Sequence, residues 1–139
     1  MIDPTWFAFF NTNALALFDR ARCTRAEKET LVPLACSILE CCVHARRNGL
    51  LALEDYLDKV DPDFAVNLAL VVEGADAGLI LQTMVTRTLA PNPVGKELLR
   101  GLVIMQGIVD VEMAINPKML RERQRALFGL DGDLLADDA

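Results

Sequence analysis

Apolar residues recur every three to four positions along most of the chain, which is the spacing of an amphipathic α-helix. From Pro93 to Ile115 the chain is apolar almost all round, which indicates a helix at the centre of a bundle. No sustained alternation of apolar and polar residues points to a strand. The pattern therefore predicts an all-α fold, a compact bundle of about six to seven helices. The clearest apolar stripe, on a helix that ends near Asn48, is formed by Leu31, Leu34, Ala35, Ile38, Cys41, Cys42 and Ala45.

Pairs of aspartate or asparagine with proline mark predicted helix starts: Asp3-Pro4, Asp61-Pro62, Asn92-Pro93 and Asn116-Pro117. Such a pair puts a side-chain acceptor at the N-cap and proline at the first helical position, where no backbone N–H is needed. Thr24 with Glu27 forms a capping box, and Asp76 is a further cap. Pro33 should kink or restart the second helix in its first turn. We therefore expect helices over residues 4–22, up to about 48, and over 50–60, 62–72, 76–89, 93–115 and 117–128.

Length and charge suggest one domain without nucleic-acid binding. The chain has 139 residues, of which 53% are hydrophobic, enough for one well-packed core. Its net charge of −6 argues against a nucleic-acid partner, which calls for a basic face. Four of the twenty acidic residues lie in the last nine positions. We expect a single helical domain over residues 1–130, followed by an acidic, disordered tail over 131–139.

No segment has the length of a membrane span. The longest apolar run, 101–109, has nine residues, against the roughly 20 that a bilayer requires. The apolar N-terminus lacks the basic start and cleavage site of a secretory signal. Three of the four cysteines fall within seven residues of predicted helix, where neighbouring thiols cannot easily bridge each other. We therefore expect a soluble, cytoplasmic protein whose cysteines are free and buried.

Candidate chemistry along the chain is sparse. Cys36, Cys41, Cys42 and His44 form the one metal-like cluster, but on a helix their side chains point in diverging directions, so we expect no metal site. His44, the sole histidine, is expected as a capping cation near a helix C-terminus. No nucleophile elbow, phosphate-binding loop or metalloprotease pair occurs. We expect neither a cofactor nor catalysis.

Two charged features remain. Arg121, Arg123 and Arg125 are expected to form a solvated face of the last helix. The other feature is the stretch 45–54. If Asn48-Gly49 caps a helix, Arg46 and Arg47 lie at its C-terminus and Glu54 lies in the first turn of the next, which suits both helix dipoles. If the helix runs through, Arg47 and Glu54 share a stripe. Both geometries put charges of either sign beside the apolar segment Leu-Leu-Ala-Leu, an arrangement that suits the polar rim of a contact patch.

The same stretch, ARRNGLLALE at 45–54, resembles the cytoplasmic segment of MotA, the flagellar stator subunit. The resemblance continues through Asp61-Pro62-Asp63-Phe64 to the turn at 72–76, where MotA-like chains carry a similar Val-Val-Asp-Gly-type sequence. A second block, from Leu99 to Phe128, resembles the C-terminal cytoplasmic helices of that family. The similar regions are 31–89 and 98–128, and residues 108–114 look like an insertion relative to the family.

The resemblance implies contact rather than conduction. MotA has four membrane spans and forms an ion path with its partner, but nothing before residue 31 resembles its first two spans, and only residues 90–97 stand in place of the last two. In MotA an arginine and a glutamate of this motif engage charged residues of the rotor protein FliG. The matching positions are Arg46 and Glu54, and with Arg47 they are the expected partner-binding residues.

Two functional hypotheses follow. The first is a soluble MotA-like domain that contacts FliG, the stator or another flagellar motor component without conducting ions. The alternative is a self-assembling structural or scaffold module unrelated to motility. Its homodimer would form through the aromatic N-terminal helix that carries Trp6, Phe7 and Phe10.

Overall fold

A computed structural model describes residues 16–136, so residues 1–15 and 137–139 lie outside the described residues. Within that range the secondary structure is entirely helical, which confirms the predicted all-α bundle. No helix within it is long and apolar enough to cross a membrane. After a helical stretch at 16–20, the α-helices are α1 (Arg25–Glu29), α2 (Val32–Asn48), α3 (Pro62–Val72), α4 (Ala77–Leu89), α5 (Gly95–Glu112) and α6 (Pro117–Phe128). Two 3-10 helices follow α2 and α6, at Leu50–Tyr56 and Gly129–Leu134.

Helix α5 lies at the centre of the bundle, as its nearly continuous apolar sequence predicts. It packs against α2, α3, α4 and α6. A glycine in its middle allows one of these contacts: a Cβ built on Gly107 would lie 2.8 Å from the side chain of Ile38 on α2. This close approach accounts for a residue that is otherwise unfavourable inside a helix. The buried residues of α5 are Leu98, Leu99, Leu102, Val103, Ile104, Met105, Gln106, Gly107, Ile108, Asp110 and Val111.

Most of the predicted helix starts are confirmed. The side chains of Thr24, Asp61, Asp76 and Asn116 each accept a hydrogen bond from a backbone N–H two or three residues further on. Thr24 also completes the predicted capping box with the third residue of α1. Pro33 lies in the first turn of α2, so the chain restarts a helix there, as expected. The pair Asp3-Pro4 lies outside the described residues.

Two predicted elements are wrong in detail. The pair Asn92-Pro93 does not begin a helix, because α5 begins at Gly95 after an N-cap residue, Val94, that makes no side-chain cap. Asn92 instead has a φ of +57°, and its Oδ1 accepts a hydrogen bond from the guanidinium of Arg20 at 2.5 Å. Asparagine tolerates this left-handed conformation better than most residues. The helix expected over 50–60 is a 3-10 helix that ends at residue 56.

Helices α3 and α5 end in the same left-handed turn. The residue after the C-cap has a positive φ in both, +76° at Gly74 and +50° at Ala114. In each turn this residue's N–H bonds to the carbonyl three residues earlier at 3.0 Å, and the next N–H bonds to the carbonyl five residues earlier at 3.1 Å. This is the Schellman arrangement, which normally uses glycine. Ala114 adopts it at a cost of about 1 kcal/mol.

The prediction of a disordered acidic tail is wrong for residues 131–135. The second 3-10 helix contains Asp131 and Asp133, and both carboxylates form ion pairs with Arg25 of α1, at 3.1 and 2.8 Å. Asp131 also accepts from Lys28 at 2.9 Å. Leu135, directly after this helix, is buried in the core. The tail is ordered because basic residues of α1 match its acidic ones and because its leucine is removed from water.

Candidate contact site

The stretch that resembles MotA folds as a helix end, a glycine turn and a 3-10 helix. Helix α2 ends at Asn48, and Gly49 follows with a φ of +87° and an N–H that bonds to the carbonyl of Ala45 at 2.8 Å. This is the capped geometry, so the alternative of one helix running through Glu54 is excluded. A positive φ favours glycine because a Cβ would meet the backbone carbonyl.

The three expected contact residues are exposed, but their surroundings differ. Arg46 and Arg47 lie in the last turn of α2, where the helix C-terminus favours positive charge. The guanidinium of Arg46 donates to the backbone carbonyl of Ala114 at 2.6 Å, so it is tied to the end of α5. Within the described part of the chain, the side chains of Arg47 and Glu54 form neither an ion pair nor a hydrogen bond, and both face solvent. Arg46 is therefore bound to the end of α5, whereas Arg47 and Glu54 have no such bond among the described residues.

The apolar segment between these charges is split between core and solvent. Residues three apart on a 3-10 helix lie on the same side. Leu53 is fully buried, and Leu50, three residues before it, packs against the core. Leu51 is 75% exposed and shares the opposite side with Glu54. An exposed leucine and a carboxylate therefore stand side by side.

Two aromatic side chains, one from each side of the Gly49 turn, pack against each other. The ring of His44 lies 4.8 Å from the ring of Tyr56, and its Nδ1 is 3.2 Å from the side-chain nitrogen of Asn48. The sequence predicts His44 as a capping cation, but its Nε2 is buried without a hydrogen-bond partner. The histidine instead packs the last turn of α2 against the end of the 3-10 helix that follows it.

The prediction of a solvated arginine face on α6 is wrong. Arg121 is 4% exposed, Arg123 pairs with Asp110 at 2.9 Å, and the Nε of Arg125 donates to the carbonyl of Leu135 at 2.7 Å. Residues two apart on a helix point about 200° away from each other, so these three side chains could not share one face. The alternating arginines therefore reach different neighbours.

All four cysteines are free, as expected, but only Cys41 and Cys42 are buried. Burial raises the pKa of Cys41 to about 12 and that of Cys42 to about 11. Cys23 and Cys36 are partly exposed instead. Across residues 16–136, no group of three or more histidines, cysteines and acidic residues could hold a metal ion.

A polar cleft of about 260 Å³ lies between α3, α4 and α5, and the sequence did not predict it. Arg100 bridges Asp61 and Asp63 there, at 2.5 and 2.7 Å, and Arg87 donates to the buried Asn67 at 2.7 Å. These arginines satisfy acceptors of the protein itself. The two arginines therefore connect α3 to α4 and α5 and do not present their charges to a ligand.

Comparisons of the chain with protein-family models, with curated proteins and with solved structures find no match. The resemblance to MotA stays a prediction that rests on the residues quoted for it. The aromatic residues of the alternative homodimer, Trp6, Phe7 and Phe10, lie outside the described residues.

Proposed function

We propose that this protein is a MotA-like interaction domain that contacts a flagellar motor component, the rotor protein FliG or the stator, without conducting ions. We do not propose ion conduction, because the residues that resemble MotA are those of the family's cytoplasmic segments. The observation that carries it is the position of Arg47 and Glu54, exposed on either side of the Gly49 turn within the matching stretch.

The surface around this turn has the properties of a small contact site. Leu51 offers exposed apolar area, and the two exposed charges lie on either side of it along the chain. Both charges lie on helices for which Gly49 is the shared cap residue, so little backbone conformational entropy is lost when a partner binds. Charges of both signs select a partner surface of the complementary pattern and speed its encounter.

Arg46 has a different part in this proposal. Its guanidinium is bound to the carbonyl of Ala114, so it positions the end of α2 against α5. Arg47 is therefore the arginine that the structure leaves available to a partner. The resemblance assigns the contact to the position of Arg46, whereas the bond to Ala114 favours its neighbour Arg47 for that role.

The test is a binding titration of the full chain against purified FliG and against a stator complex. Arg47→Glu and Glu54→Lys should each weaken binding by about tenfold, because each puts a like charge against the partner. The matched controls are Arg22→Glu and Glu29→Lys, charge reversals at exposed positions before the matching region. They should leave affinity unchanged.

Reversing the partner's charge should restore binding to the reversed variant, which a general loss of folding would not do. If neither FliG nor the stator binds the unaltered chain, the motor function is wrong. If binding occurs and ignores both charge reversals around Gly49, the function stands and this site is wrong.

A further inference from the structure

Arg121 is a buried cation that lacks a carboxylate partner among the described residues. It lies on α6, is 4% exposed, and its Nε is buried without a hydrogen-bond partner. Guanidinium groups are almost never buried to this degree without an anion, because desolvation strongly disfavours an isolated charge. The site therefore favours any neighbouring group that can carry negative charge.

The contacts of Arg121 fix its guanidinium against α2. Nη1 donates to the Oε1 of Gln124 at 3.1 Å, and the amide of Gln124 donates in turn to the carbonyl of Ala35 at 2.9 Å. Nη2 points at the Sγ of Cys36, 3.7 Å away. Gln124 is itself buried, so the guanidinium of Arg121 is held between the side chains of Gln124 and Cys36. The thiol of Cys36 is thus the side chain next to Arg121 that chemistry could convert to an anion.

Cys36 differs from the other three cysteines in this combination. Cys41 and Cys42 are fully buried and cannot meet a reagent from solvent. Cys23 is partly exposed like Cys36, but burial raises the pKa of its thiol by more than the charge of Lys28 nearby lowers it. Cys36 alone of the four is both partly exposed and in contact with a buried guanidinium.

We propose that Cys36 is an oxidation site for hydroperoxides, and that Arg121 stabilises the oxygen that the reaction adds to its sulfur. The sulfur attacks one peroxide oxygen, so an S–O bond forms as the O–O bond breaks. Sulfur gives up two electrons, the peroxide takes them, and the thiol proton passes to the leaving oxygen, which departs as water or an alcohol. The product is a sulfenic acid, which a further thiol can reduce.

The buried guanidinium acts on this reaction in two ways. Its positive charge offsets the negative charge that develops on the departing oxygen, in a site where little water screens it. Its nearest N–H groups can then donate to the new sulfenic oxygen, which accepts hydrogen bonds better than a thiol does. Arg121 is therefore a positioning and stabilising residue for a modification of Cys36.

The test treats the reduced full chain with hydrogen peroxide, traps sulfenic acid with dimedone, and quantifies each cysteine by peptide mass spectrometry. Cys36 should be labelled about tenfold faster than Cys23, which serves as the internal control for exposure. Arg121→Met should slow the labelling of Cys36 severalfold and leave the labelling of Cys23 unchanged. Arg121→Lys should slow the labelling of Cys36 less.

Gln124→Glu is a second variant that keeps the size of the site. The new carboxylate would give up the bond to the carbonyl of Ala35, but it would pair with Arg121, which normally contacts the amide oxygen at this position, and compete for its charge. We expect Gln124→Glu to fold and to show slower labelling of Cys36. This variant therefore tests the role of Arg121 even if Arg121→Met does not fold. Equal labelling of Cys36 and Cys23 in the unaltered chain would overturn the proposal, as would a Cys36 rate that Gln124→Glu leaves unchanged.

Discussion

The guanidinium of Arg46 donates a hydrogen bond of 2.6 Å to the backbone carbonyl oxygen of Ala114. Ala114 lies in the left-handed turn after α5, where helix carbonyls lack intrahelical partners. The bond therefore joins the last turn of α2 to the end of the central helix. It gives a structural role to a residue that the sequence resemblance assigns to partner contact.

Replacing the two neighbouring arginines by methionine should separate their roles. Arg46→Met should lower the free energy of unfolding by about 1 kcal/mol, because it removes a charged donor from a carbonyl oxygen. Arg47→Met should change it by less than about 0.5 kcal/mol, since its side chain is exposed. Urea unfolding followed by circular dichroism measures both. Equal losses in the two variants would show that the bond to Ala114 contributes nothing.

The two left-handed turns predict opposite effects of exchanging alanine and glycine. Ala114→Gly should raise the free energy of unfolding by about 0.5–1 kcal/mol, because glycine adopts a φ of +50° without a clash of its Cβ. Gly74→Ala should lower it by about 1 kcal/mol at the equivalent position of α3. Thermal unfolding of both variants tests this. If both exchanges destabilise, packing of the Ala114 methyl group outweighs its backbone strain.

The sequence predicted the local parts of this structure better than the distant ones. The caps at Asp61 and Asn116 were correct because acceptor and donor lie two residues apart. Asn92 carries the same signal, but its side chain bonds to Arg20, 72 residues away, and no helix begins there. Arg25 pairs with Asp133, 108 residues away, so a tail that is acidic by itself becomes ordered.

The candidate site shows the same division. The glycine turn after α2 follows from adjacent residues, and the sequence predicted it as one of two geometries. The bond from Arg46 to Ala114 spans 68 residues, and the contact of Arg121 with Cys36 spans 85. Neither pair leaves a periodic signal. Alternating arginines on a helix could nevertheless have been recognised as pointing in opposite directions, which excludes a single solvated face.

The carboxyl group of Asp110 should make stability depend on pH. It is 2% exposed, Arg123 donates to its Oδ1 at 2.9 Å, and its Oδ2 has no hydrogen-bond partner. Burial raises its pKa from 3.8 to about 6, against the opposing effect of Arg123. Between these values the folded chain holds a proton that the unfolded chain releases. The free energy of unfolding should therefore fall as pH rises from about 4 to 6, by up to about 3 kcal/mol, and then level off.

Asp110→Asn should abolish this fall, because the amide does not titrate. Urea midpoints at pH 4.5 and pH 7 measure it in both proteins. The carboxylates whose pKa is lowered, those of Asp61, Asp131, Asp133 and Glu27, act at lower pH and in the opposite direction. They stabilise the fold above their ordinary pKa and lose this effect as pH falls. An equal midpoint change in both proteins would refute the assignment to Asp110.

The ordered C-terminus makes two contributions to stability that salt should separate. Leu135→Ala should lower the free energy of unfolding by about 2–3 kcal/mol at any salt concentration, because it removes buried apolar volume. Asp131→Asn should lower it at low salt by weakening its pairs with Lys28 and Arg25. This loss should shrink in about 1 M sodium chloride, where the screening length falls to about 3 Å. Urea unfolding at both salt concentrations measures the four combinations. A Leu135→Ala variant as stable as the unaltered chain would mean that the residues after α6 do not belong to the folded unit.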